Sequence, residues 1–189
     1  AGGSIGSELC RQVIQNKPKK IVLLEISEEN LYKINEELSQ INIDKIKIKS
    51  ILGSSSNFKL VSKTIKDNNI DIIFHAAAYK HVPIVELNPI EGIKNNIFST
   101  VAVCEASVEN HIEKLILIST DKSVRPTSVM GASKRVAELV VQAYAEKESN
   151  KFNKDSNYKE ILFSMVRFGN VLGSSGSVIL KFKEQIKSG

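Results

Sequence analysis

Five short apolar runs, at residues 20–26, 46–52, 70–74, 115–118 and 161–168, punctuate the chain, each separated from the next by a stretch suited to a helix. Runs of this length rich in Ile, Leu and Val and bounded by polar turns read as strands buried in a parallel sheet. Parallel neighbours need a crossover, and strand, helix, strand in alternation gives right-handed connections with helices on both faces of the sheet. The chain is therefore expected to be of the α/β class with a doubly wound parallel sheet. Lysines alternate through 46–52, which places that strand at an outer position.

The intervening stretches supply the helices. Leu31, Ile34 and Leu38 form an apolar stripe over 28–40, and Ser54-Ser55-Ser56-Asn57 caps a helix over 58–67. A long helix spans about 89–110, although Asn95 and Asn96 are poor helix formers; one of them is expected to bond across to the sheet or to a water. Another, carrying Met130 and Lys134, runs to about residue 148. Residues 149–159 lack periodicity and read as a surface loop. A final helix stops at Gly189 with no substantial domain expected after it. With neither repeat nor linker, the 189 residues are read as one domain, long enough to bury a sizeable core.

Open α/β sheets bind ligands at the carboxyl edge of their strands, so the residues following each run are the candidates. The chain opens on AGGSIGSE, a glycine loop leading into a helix from Ser7 to about residue 16, which is an anion-binding arrangement. Because the chain starts inside the loop, a preceding strand is expected to have been cut off. Glu25 lies nineteen residues after Gly6, near the spacing at which a carboxylate accepts both hydroxyls of an adenosine ribose and repels a 2′-phosphate, arguing for NAD over NADP. The run at 70–74 delivers His75 and then Ala76, Ala77 and Ala78, whose small side chains leave room for a flat ring. Tyr79, Lys80 and His81 follow on a loop bounded by Pro83 and Pro89. Thr120, Asp121 and Lys122 emerge together after 115–118, and Met130 and Lys134 share a helix face one turn apart. After 161–168, GNVLGSSGS is a second loop rich in backbone donors.

Charge and cysteine usage narrow the partners. The net charge of +5 is spread without a block of like sign and only four basic residues are arginine, which suits a small anionic ligand better than nucleic acid. Cys10 and Cys104, with His75, His81 and His111, lack metal-ligand spacing, so no metal site is expected and the thiols read as reduced and structural. No run reaches the roughly eighteen apolar residues that span a bilayer, nor does a signal peptide open the chain. The segment is expected to be soluble, cytoplasmic and without direct membrane contact, a membrane anchor in the parent chain being left open.

In combination GGSIGSE, LLEISE, IIFHAAAYKHVPIVE, ISTDKSVRPTSVMGASKR and VRFGNVLGSSGSV resemble the extended short-chain dehydrogenase/reductases. Within these the likeness is to the bacterial polysaccharide-biosynthesis nucleotide-sugar 4,6-dehydratases, and it covers nearly the whole chain. The configuration-retaining UDP-N-acetylglucosamine 4,6-dehydratases resemble it most, since Met130 stands where the superfamily usually has a tyrosine four residues before the lysine. The resemblance implies a Rossmann-like, NAD-binding domain, here lacking its first, central strand and the C-terminal lobe that grips the uridine.

The resemblance also assigns roles. Gly3, Ser4, Ile5 and Gly6 would hold the NAD pyrophosphate and Glu25 the adenosine ribose. Ala76, Ala77 and Ala78 would line the nicotinamide side with Asn96 also at the cofactor, and Lys134 would hold the nicotinamide ribose. Lys80 and His81 would face the sugar; Asn170, Ser174, Ser175 and Ser177 would approach the UDP diphosphate. Thr120, Asp121 and Lys122 match the family's catalytic triplet.

The implied lyase chemistry removes hydride from carbon 4, eliminates water across carbons 5 and 6, and returns the hydride to carbon 6. Lys122, as a neutral amine, is expected to take the carbon 5 proton, and Asp121, if protonated in a dry site, to protonate the leaving hydroxyl. Met130 cannot ionise, so Asp121 or a water near Thr120 is expected to take the carbon 4 hydroxyl proton. Gly53-Ser54 replaces a frequent Gly-Asp of the family, and Ser99 a frequent glycine. The full-length protein is expected to be a homo-oligomer, and the 189 residues alone inactive and poorly stable. An epimerase and a non-catalytic nucleotide-sugar sensor are the alternative readings.

Overall fold

The structure, a computed structural model, describes all residues except 43, 156–157, 172–181, 183–184 and 188–189. Its elements follow the expected alternation: α1 Ser4–Gln15, β1 Lys20–Glu25, α2 Glu28–Ile41, β2 Lys47–Leu52, α3 Phe58–Asn68 and β3 Ile72–His75. Next come α4 Val82–Leu87, α5 Pro89–Ile93, a π-helical turn Lys94–Phe98 and α6 Ser99–Glu109. β4 Lys114–Thr120, a 3₁₀ turn Asp121–Ser123, α7 Val129–Lys154 and β5 Leu162–Phe168 complete the described elements.

All strand pairs are parallel. β1 pairs with β2, while β3, β4 and β5 form a separate sheet in that order. β1 and β3 are not hydrogen-bonded to each other, so the sheet is broken where the sequence reading leaves room for one strand. β2 lies at an edge, as its alternating lysines require.

Local chemistry sets several element ends. Ser27 Oγ accepts the Asn30 N–H at 3.3 Å and Asn57 Oδ1 that of Leu60 at 3.1 Å, supplying the caps of α2 and α3. Three boundaries depart from expectation. Gly3, extended at φ −70°, caps α1 with its carbonyl accepting Ser7 N–H at 2.8 Å, so the helix starts at Ser4, three residues early. α7 continues through much of 149–159 to Lys154, because Lys151 and Tyr158 both donate to the buried Glu148 carboxylate and hold its last turns. The long helix over 89–110 widens into the π turn at Asn95 and Asn96, and an additional short helix, α4, interrupts the loop after His81.

Two apolar clusters form. Ile14, Ile21, Leu23, Leu31, Ile34 and Leu38 join α1 and α2 to β1. A larger one gathers Val61, Ile65, Val103, Leu115, Leu117, Val141 and Phe163 under α3, α6 and α7. Along β4, Leu115, Leu117 and Ser119 face this cluster. On the opposite face Ile72, Phe74, Leu162 and Val166, aligned in register with Lys114, Ile116 and Ile118, are each more than 40% exposed. Helices on both faces are thus not found for this sheet among the described residues. No described helix is long and apolar enough to cross a membrane.

The smaller cluster stabilises a sheet with no backbone bond to the other, so it is expected to open at lower free energy. In hydrogen exchange of the 189-residue chain, β1 and β2 amides should exchange before those of β4; equal protection would contradict separate opening.

Candidate functional site

The register of β4 with β5 sets Thr120 opposite Phe168, so the segments after both strands leave the sheet side by side. Thr120 Oγ1 donates to Asp121 Oδ1 at 3.0 Å, and Lys122 Nζ donates to the same oxygen at 3.2 Å and to Asn170 Oδ1 at 2.9 Å. Four expected site residues therefore form one hydrogen-bonded cluster at the carboxyl edge. The Thr120 hydroxyl and the Lys122 ammonium hold the Asp121 carboxyl below its usual range. Its side chain is 56% exposed. A protonated Asp121 in a dry site is thus not what the structure presents: the group is a solvated, ionised carboxylate.

Beneath this cluster lies the start of α7. Ser128 caps it by accepting the Gly131 N–H at 3.1 Å, and Glu86 of α4 accepts that of Val129 at 2.6 Å. A Cβ on Gly131 would stand 2.6 Å from the Lys122 carbonyl oxygen, so glycine there is what lets the helix abut the triplet. Met130 is buried, and Lys134, one turn later, donates to the Ile118 carbonyl at 2.8 Å. Burial pushes the Lys134 ammonium down to about 8, with the Glu138 carboxylate acting in the other sense.

Glu138, which sequence reading missed, lies one further turn along the same face and has no exposed surface. Its Oε1 accepts from Ser119 Oγ at 2.7 Å, Ser123 Oγ at 2.6 Å and Arg167 Nε at 2.9 Å; its Oε2 accepts from Arg167 at 2.7 Å and Arg135 at 3.0 Å. Burial alone would raise this carboxyl, yet the two guanidiniums and two hydroxyls hold it far below the carboxylate range. A glutamate placed four residues after Lys134 on the apolar face of its helix was the available signal.

At the end of β3, His75 is buried with Nε2 facing Thr100 Oγ1 at 3.2 Å and Ser99 Oγ at 3.5 Å. Those hydroxyls donate to the Asn96 and Asn95 carbonyls, so Nε2 carries the ring hydrogen. Ala76, Ala77 and Ala78 follow without regular structure. Asn96 does not stand free for a cofactor. Its carboxamide accepts the Tyr79 N–H at 2.7 Å and an Asn95 N–H at 3.1 Å, and donates to the Tyr79 carbonyl at 3.1 Å and to Ser133 Oγ at 2.9 Å. The expectation of a bond across from this helix is met by the 76–79 loop and α7 rather than by the sheet. Lys80 and His81 stay exposed, His81 preceding α4.

In the glycine loop, a Cβ on Gly6 would meet the Ala1 carbonyl oxygen at 2.4 Å and one on Gly2 would meet Asn30 at 2.6 Å, whereas at Gly3 nothing lies within 4 Å. Gly2 and Gly6 thus serve close packing, and Gly3 leaves open space at the start of α1, where Ser4, Ile5 and Gly6 form the first turn. No acidic residue lies in that turn. Such a terminus suits an anionic group. Glu25 turns back onto this loop: its carboxylate accepts from Gly2 N at 2.7 Å, the Ala1 amine at 2.9 Å, Ile26 N at 3.0 Å and Ser27 N at 3.1 Å. Ser174, Ser175 and Ser177 lie outside the described residues. No described group of three His, Cys, Asp or Glu side chains is placed to hold a metal.

Burial, with Lys134 nearby, pushes His75 down to about 3. The unfolded chain takes up this proton below about 6.5 and the folded chain only near 3, so stability is full above 6.5 and falls with acidification. Between pH 7.5 and 5 the loss should be about 2 kcal/mol, and His75→Gln should remove it. Urea midpoints at both pH values check this; identical pH slopes for the two proteins would contradict it.

A family model described as polysaccharide biosynthesis protein matches residues 1–189. The capsular polysaccharide biosynthesis protein CapD of Staphylococcus aureus is 45% identical over 189 residues, covering 100% of this chain and 30% of that protein. An inverting UDP-N-acetylglucosamine 4,6-dehydratase of Campylobacter jejuni is 33% identical over 99% of this chain and 52% of its own length; a UDP-glucose 4-epimerase of Rickettsia canadensis matches at the same identity and coverage. Among solved structures, Pen from Bacillus thuringiensis superposes with a TM-score of 0.86 at 35% identity, over 98% of this chain and 53% of that one. The chain spans from 30% to about half of the length of these curated relatives. Sequence motifs, parallel α/β fold and whole-length family match together make this chain a member of the polysaccharide biosynthesis protein family, whose relatives include nucleotide-sugar dehydratases and epimerases.

Proposed function

We propose that residues 1–189 form the single NAD-binding, Rossmann-like domain of a longer nucleotide-sugar 4,6-dehydratase acting on UDP-N-acetylglucosamine. The observation that carries this reading is the hydrogen-bonded Thr120, Asp121, Lys122 and Asn170 cluster at the carboxyl edge, set over a helix whose Met130 cannot ionise. The open face of Gly3 and the acid-free first turn of α1 fit a pyrophosphate. Lys134, buried and partly discharged near pH 8, is suited to the nicotinamide ribose. Glu25, at the end of β1 beside the glycine loop with its carboxylate oriented by the Gly2, Ile26 and Ser27 N–H groups, suits the adenosine ribose. When bound, NAD would accept hydride from carbon 4 and give it back at carbon 6.

The ionised state of Asp121 revises the proton path. As a carboxylate it is ready to accept the carbon 4 hydroxyl proton, which makes it the acid that then protonates the leaving hydroxyl on carbon 6. One residue thus carries one proton between the two oxygens. Lys122, in its neutral amine form rather than as the ammonium paired with Asp121, takes the carbon 5 proton, acidified by the 4-keto group, and returns it after elimination. A single amine acting on one face of the ring gives retention at carbon 5. Thr120 orients Asp121, while Asn170 and the exposed Lys80 and His81 meet the diphosphate and sugar.

The epimerase reading shares the carbon 4 oxidation but needs no acid to expel water. Incubating the full-length protein with NAD and UDP-N-acetylglucosamine deuterated at carbon 4 should give a 4-keto-6-deoxy product with deuterium at carbon 6. A carbon 4 epimer, or binding without turnover, would overturn the proposal. Asp121→Asn should lower kcat by about 10²–10⁴, with both oxidation and elimination impaired. The isolated 189 residues should show no turnover.

A further inference from the structure

We propose that Glu138 is the positioning residue of the 120–122 triplet, a buried carboxylate that pins both ends of the triplet to one oxygen and ties it to the strand that leads to Asn170. Ser119 and Ser123 flank the triplet immediately on either side, and both donate to Glu138 Oε1. Ser123 Oγ also lies 2.6 Å from the Thr120 carbonyl oxygen; with one hydrogen to give, the hydroxyl serves one of these two acceptors at a time, and the charged carboxylate is the stronger of them. Arg167, two residues before Gly169, grips both oxygens of the same carboxylate, and Asn170 just beyond receives Lys122 Nζ. One side chain therefore sets the segments after β4 and β5 relative to each other. Lys134 and Met130 stand on the same helix one and two turns earlier, so the helix that presents them is fastened to the triplet through this group.

Ser119, Ser123 and Glu138 are all buried, the last two with no exposed surface, so none of them is placed to touch substrate. Their effect on turnover is through the geometry of Asp121 and Lys122. Displacement of a catalytic group by about 1 Å costs on the order of a hundredfold in rate. This inference rests on the reading of Thr120, Asp121 and Lys122 as the proton-handling triplet.

The test uses Ser119→Ala/Ser123→Ala in the full-length protein, which leaves Glu138 paired with its arginines and spares the fold the unpaired charges that Glu138→Gln would create. Expected results are a drop in kcat of about tenfold to a hundredfold with KM and NAD affinity within about twofold of wild type. Faster hydrogen exchange confined to the 120–124 amides should accompany it. Unchanged kcat, a loss shared equally by KM and NAD affinity, or unchanged exchange at 120–124 would each overturn the proposal. Should wild-type protein give no 4-keto product, the dehydratase reading falls by itself, and the exchange measurement still decides whether Glu138 holds the turn.

Discussion

A carboxylate with no contact with water stays charged only if its surroundings replace the lost hydration, a penalty of several kcal/mol per ion. Glu138 meets that condition with two guanidiniums and two hydroxyls, and those four partners come from β4, the following turn, β5 and α7. No other described group joins so many of the elements that converge at the carboxyl edge. The segments at the edge are consequently joined to one another on its β4–β5 side. Buried Met130 and Lys134 inherit their placement from the same helix, and Gly131 lets that helix approach the Lys122 backbone.

The strands were legible because buried parallel strands write themselves as apolar runs, and the stripe of Leu31, Ile34 and Leu38 does face the core. The Thr120, Asp121, Lys122 grouping was equally legible, since residues adjacent in sequence at a strand end stay adjacent in space. Partnerships across large separations were not. Arg167 meets Glu138 across twenty-nine residues, and Asn96 meets Tyr79 across seventeen; neither has a local pattern that announces it. The ionisation state of Asp121 was left conditional for a related reason. Its exposure and its pairing with Thr120 and Lys122 are facts of the loop's path, and they favour the charged form.

The end of α7 shows the same division. Nothing periodic marks 149–154, yet the helix persists because Tyr158 and Lys151 close on Glu148. The early start of α1 at Ser4 likewise follows from the extended Gly3, whose carbonyl begins the hydrogen-bond ladder.

Asn96 holds Tyr79 by its main-chain N–H and carbonyl alone, in the manner of a neighbouring strand. A side-chain amide thereby substitutes for a missing ladder partner, and it is indifferent to which residue occupies position 79. The path of the loop and the chemistry that the loop displays are therefore separable. Side chains from 79 to 81 can change what they offer a ligand while the backbone that carries them stays where Asn96 puts it.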